Sequence, residues 1–229
     1  MSGMAIDRAV RLRPELVPVE LALIVALFWA DERGWIPLSK TPFLLAVGWA
    51  SMWLRGLRWR DVGLALPPGW LRLAGIGIAA GIAMWLLEFY FTMPMLHRLL
   101  GYWPDLSTFD DLVGSIELLL IYLALNWVLA AFGEEMMWRG YALPRAAQFC
   151  GSGTRALIIA LLVVNLGFGL AHLYQGPSGV VQATVAGVLL GILYLATGRN
   201  LVAPIVAHGV SNSIDFTVMY AGLYPGVGP

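Results

Sequence analysis

Three short segments of this chain place ionisable and amide side chains within apolar runs. They are Gly133-Glu134-Glu135-Met136-Met137-Trp138-Arg139, Phe168-Gly169-Leu170-Ala171-His172 and His208-Gly209-Val210-Ser211-Asn212. Such groups are costly inside a membrane span, so each needs a reason to be there. Adjacent glutamates on a helix point about 100° apart, and Glu135 pairs with Arg139 at i, i+4 on one face, which leaves Glu134 free. Phe168 and His172 share a second helical face with Asn165 one turn away, and His208, Asn212 and Asp215 follow i, i+4, i+7 on a third. Each piece has a plain reading: a double-Glu helix start favoured by the dipole, a packed histidine, an asparagine bonded to nearby backbone. Yet the chain has only three histidines, and two of them stand in apolar runs beside partners at matched spacing. Coincidence is the poorer account. These residue types permit a proton relay within a membrane, or a zinc site in which Glu134, His172 and His208 leave one position for water. The third histidine, His97, sits beside Arg98 near a helix end and receives no role.

The elements that must position these groups are membrane helices. The 229 residues are 59% hydrophobic and 12% charged, against roughly 45–50% and 25% in soluble domains. Fourteen acids and fourteen bases cannot cover a soluble surface, so lipid is the solvent for most of the exterior. Zero net charge and the absence of a basic patch argue against a nucleic-acid partner. Cys150 stands alone, which excludes an intramolecular disulfide and reads as a small buried hydrophobe.

Runs of spanning length fall at about 73 to 95, 112 to 132, 156 to 173, 180 to 197 and 201 to 223, with shorter ones at 16 to 30 and 42 to 54. The expected fold is therefore all-α, a polytopic transmembrane bundle of about seven to eight helices, the eighth arising if residues 134 to 149 pack separately. It forms one integral membrane domain over residues 1–229. Phe28-Trp29-Ala30-Asp31-Glu32 lacks a small-x-small cleavage site, so the first run reads as an uncleaved span. Alternating the runs across a bilayer sets Arg8, Arg11, Arg13, Arg55, Arg58, Arg60, Arg72, Arg139, Arg145, Arg155 and Arg199 on one side, and only Arg33, Lys40 and Arg98 on the other. That bias places the amino terminus in the cytoplasm. Gly77 with Gly81, and Gly187 with Gly191, have the spacing for close helix packing within the bundle.

Glu-Glu-x-x-x-Arg, then Phe-x-x-x-His, then His-x-x-x-Asn, in this order across the second half of a polytopic chain, resemble the CPBP family. It comprises CAAX prenyl endopeptidases of the Ras-converting type and the related bacterial Abi proteins linked to bacteriocin processing or immunity. The motifs span residues 134 to 212, within an expected protease core of about 112–223, while residues 1 to 111 show hydrophobic pattern only. The resemblance implies peptide-bond hydrolysis within the membrane, with Glu134 and His172 activating a water and His208 and Asn212 stabilising the oxyanion. Glu135 and Arg139 are then a supporting pair that keeps Glu134 aimed inward, and Phe168 is packing. A carboxylate in a low-dielectric cavity becomes a better base, and donors preorganised in a dry site stabilise developing charge. His-Glu-x-x-His is missing, and the resemblance favours a glutamate-dependent mechanism without a cofactor over zinc. Expected partners are membrane lipid and a peptide or lipidated protein substrate.

Counting depth along straight helices exposes a tension. If the Glu134 helix ends near Leu143 before Pro144, Glu134 lies roughly 14 Å from its inner end, while His172 lies roughly 25 Å from Arg155. Two rivals stand beside the protease. A rhomboid-type serine mechanism would use Gly176-Pro177-Ser178-Gly179 with His208, but the depths of Ser178 and His208 disagree, and a turn with Ser178 as the next N-cap fits better. A non-enzymatic immunity or scaffold protein, or a proton-coupled transporter that also uses Glu88, is the other; no inverted repeat supports transport. Thirteen arginines to one lysine, with abundant Ala and Gly, suggest a GC-rich bacterial genome and a bacterial inner membrane.

Overall fold

The computed structural model describes residues 16–228 except 38 and 152, so Arg8, Arg11 and Arg13 lie outside the described residues. These fold into helices and connecting turns with no strand among them, the all-α bundle expected from composition. A first helix, α1 (Leu16–Glu32), turns back as α2 (Thr41–Leu54). A long helix follows as α3 (Trp70–Leu87), a π-helical turn at Glu88–Thr92 and α4 (Met93–Leu100). Next comes α5 (Ile116–Leu125), whose Ser115 Oγ caps the Leu118 N–H. It runs through π-helical stretches at Asn126–Glu134 and Met136–Ala142 into α6 (Leu143–Phe149). The bundle closes with α7 (Gly153–Leu170), α8 (Gly176–Ala196) and α9 (Val202–Tyr220).

Four of the described helical runs are long and apolar enough to cross a bilayer: 70–100, 116–149, 153–170 and 173–196. The remaining apolar runs expected from the sequence fall on α1, α2 and α9. The described apolar stretches within α1 and α2, Ala22–Asp31 and Thr41–Leu54, are shorter than the other four runs and pair as a hairpin. Helix α9 is long enough, but His208 and Ser211 are buried along it, and its polar stripe lowers the apolar content that marks a span.

Residues 134–149 are not a separate element. They continue α5, making one 34-residue helix, roughly 50 Å long at 1.5 Å per residue. Pro144 does not end it, because the preceding π-turns shift the hydrogen-bond register, and Pro144 stands in the first turn of the renewed α-helix, where its missing N–H costs little. Depth counted from Leu143 therefore starts from a false helix end, which removes the tension over Glu134. Ser178 likewise is no N-cap. Helix α8 begins at Gly176, and Ser178 is buried inside its first turn with Oγ accepting from Gln182 Nε2 at 3.0 Å.

Helices α3 and α9 touch through glycine. A Cβ at Gly77 would meet Ala203 O at 2.6 Å, and one at Gly81 would meet Ala207 O at 2.5 Å. Both contacts advance four residues in the same chain direction, so the two helices run parallel. Gly187 and Gly191 receive Asn165 and Leu161 of α7 in the same way. Both glycine pairs thus pack within the bundle. Replacing Gly81 by Val is expected to cost about 1–3 kcal/mol through overpacking against the α9 backbone, read as a lower melting temperature of the detergent-purified protein.

Candidate active site

The π-helical winding around Glu134 and Glu135 separates the two carboxylates. Glu134 faces a cavity of about 440 Å³, whose walls include Trp138, Phe168, His172 and Tyr174 from the second half of the chain, and Phe28, Asp31, Lys40 and Thr41 from the first. Glu135 points the other way and is fully buried. Its Oε1 accepts from Arg139 Nη1 at 2.7 Å and from His208 Nδ1 at 2.9 Å. Arg139 in turn donates through Nη2 to Asn165 Oδ1 at 3.1 Å and Gly187 O at 2.9 Å. The pair expected from i, i+4 spacing is therefore present, and it also ties the Glu134 helix to α7, α8 and α9.

Phe168 stands at the middle of this arrangement. Its ring lies 4.8 Å below the Arg139 guanidinium, 4.9 Å from the His172 ring and 6.3 Å from the His208 ring, which it meets edge-on. One aromatic side chain thus touches the cavity histidine, the buried histidine and the buried cation.

His172 lies in the two-residue link after α7, outside the spanning helices. Its Nδ1 is 2.9 Å from Phe168 O. A carbonyl only accepts, so Nδ1 carries the proton and Nε2 presents a lone pair. Burial lowers this imidazole below its ordinary 6.5, and the Glu134 charge across the cavity pulls it partly back up. No direct hydrogen bond joins the two side chains among the described contacts.

His208 is buried behind Phe168 and does not line the cavity. Asn212, one turn further along α9, is half-buried and is also absent from the cavity wall. The structure thus brings Glu134, His172 and Phe168 to one space, couples His208 to it through Glu135 and Phe168, and leaves Asn212 outside. Among the described residues, no group of three or more His, Cys, Asp or Glu side chains is placed to hold a metal ion; Glu134, His172 and His208 do not converge as a ligand set.

Several cavity residues carry no motif of their own. Asp31 and Lys40 come from the α1–α2 hairpin, where sequence shows only hydrophobic pattern, and Trp138 and Tyr174 are aromatic neighbours of the motif residues. The one available signal was Lys40, the chain's only lysine, standing beside short apolar helices.

The fold and site define a helical integral membrane protein in which a carboxylate and an imidazole face one cavity. Residues 116–214, the segment that carries the three motifs, match the family described as type II CAAX prenyl endopeptidase Rce1-like. No curated protein and no solved structure matches the chain significantly.

Proposed function

We propose that this protein is an intramembrane endopeptidase that hydrolyses a peptide bond of a membrane-associated peptide or protein of the CAAX type or a related class. The carrying observation is that Glu134 and His172, from two separate motifs of the matched segment, face the same cavity. A water between them is deprotonated by the Glu134 carboxylate, with His172 Nε2 as the second proton acceptor, and attacks the amide carbon. The proton is then delivered to the leaving nitrogen.

His208 and Asn212 are assigned to the oxyanion. With Nδ1–H committed to Glu135, the His208 ring donates from Nε2 only when it carries both protons. Glu135 and Phe168 orient that ring. Neither His208 nor Asn212 lines the cavity, so both reach the oxyanion only as α9 shifts when substrate enters. In the cell, the protein sits in a bacterial inner membrane with its amino terminus in the cytoplasm.

Two outcomes test this reading on protein reconstituted in liposomes with a lipid-anchored reporter peptide. First, because His172 must be neutral and burial holds its imidazole below 6.5, kcat/KM rises with pH along an acid limb centred below 6.5. An acid limb centred above 7 contradicts the assignment. Second, the donor geometry offers no three-residue ligand set among the described residues, so prolonged treatment with a strong zinc chelator leaves the rate unchanged. Loss of activity restored by added zinc would replace the carboxylate mechanism with a metal one.

A further inference from the structure

The cavity holds a cation that the hydrolytic pair does not use. We propose that Lys40 anchors the free C-terminal carboxylate of the peptide substrate and thereby fixes the direction in which the peptide lies past Glu134 and His172. This rests on the reading of the cavity as a peptide-cleaving site.

Lys40 is the single Lys or Arg among the cavity-lining residues. It directly precedes α2, and Thr41 packs on Gly133, where an added Cβ would fall 2.5 Å from Thr41 Cγ2. Only glycine before Glu134 allows the start of α2 to come so near the reactive carboxylate. The Lys40 ammonium donates to Asp31 Oδ2 and lies 5.5 Å from the Phe28 ring centroid. An ammonium has three N–H donors, so it can take a second carboxylate without releasing Asp31.

Charge decides where that second carboxylate goes. Asp31 and Glu134 also line the cavity and repel an incoming anion, so Lys40 is the one charged side chain of the lining that attracts it. Three extended residues of a peptide tail span about 10 Å, a length commensurate with a cavity of about 440 Å³. With the carboxylate held at the α1–α2 rim, the chain runs from Lys40 toward the wall that bears Glu134 and His172.

The test compares tail peptides that differ only in ending as a free acid or a carboxamide, bound to Glu134→Gln protein in micelles so that cleavage does not intrude. The acid is expected to bind at least about tenfold tighter than the amide, as a charge-assisted contact would give. In the Lys40→Met version, the acid should fall to the amide's affinity while the amide is unchanged, and Lys40→Arg should keep part of the preference. Equal binding of acid and amide overturns the proposal. So does equal weakening of both by Lys40→Met, which would mark Lys40 as a strap for the hairpin. Tight binding of an amidated peptide with glutamate as its last residue would mean that any nearby carboxylate suffices, and would overturn the assignment to the terminus. Failure of the protease reading is a different result: the unmutated protein cleaves neither peptide, whatever the binding preference.

Discussion

Replacing Arg139 by Met is expected to destabilise the protein by about 3–5 kcal/mol, the cost of leaving a buried carboxylate without its cation. Glu135 and Arg139 are both essentially inaccessible, with side-chain exposures of 0% and 1%. The substitution also strands Asn165 Oδ1 and Gly187 O, which lose the Nη2 donor they share. Thermal unfolding in detergent should show the loss, and the double variant Glu135→Gln, Arg139→Met should recover part of it because no charge is then left unpaired. A single variant as stable as the parent would mean that water reaches Glu135 and that the network does not hold the four helices together.

Glu134→Gln should behave in the opposite way. Glu134 makes no ion pair among the described contacts and faces the cavity, so the isosteric amide should leave the melting temperature nearly unchanged. Removing the general base should lower kcat about 10²–10⁴-fold, equivalent to roughly 3–5 kcal/mol of lost transition-state stabilisation, with little effect on KM. The contrast between the neighbouring glutamates is the informative part: one variant folds and does not cleave, whereas disturbing the other's partner harms the fold first.

The different fates of Glu134 and Glu135 were partly legible in the sequence. Helical spacing of 3.6 residues sets Glu135 over Arg139 and turns Glu134 away, and that local geometry holds at 2.7 Å in the fold. The bond from Glu135 to His208 joins residues 73 apart, and no local periodicity announces it. Likewise, Phe168 reads as one more apolar residue until three helices set a guanidinium and two imidazoles around its ring. The helix limits suffered where composition stands in for geometry. Pro144 is a breaker in an α-helix but not after a π-turn, and the polar stripe of α9 hides a helix of spanning length. Lys40 and Asp31 were invisible for a further reason: a short hairpin without a motif lends its charges to a cavity that it shares with the motif-bearing helices.

The central claim is that Glu134 and His172 act on one water in one cavity, and a double-mutant cycle on cleavage of the liposome reporter measures this directly. Glu134→Gln, His172→Ala and the double variant are compared under single turnover, each at confirmed folded concentration. Groups that act as a unit give non-additive losses, so the double variant should cleave no more slowly than the worse single variant. Losses that multiply, or either single variant cleaving at the parental rate, would show that the two side chains do not share a task and would contradict the account.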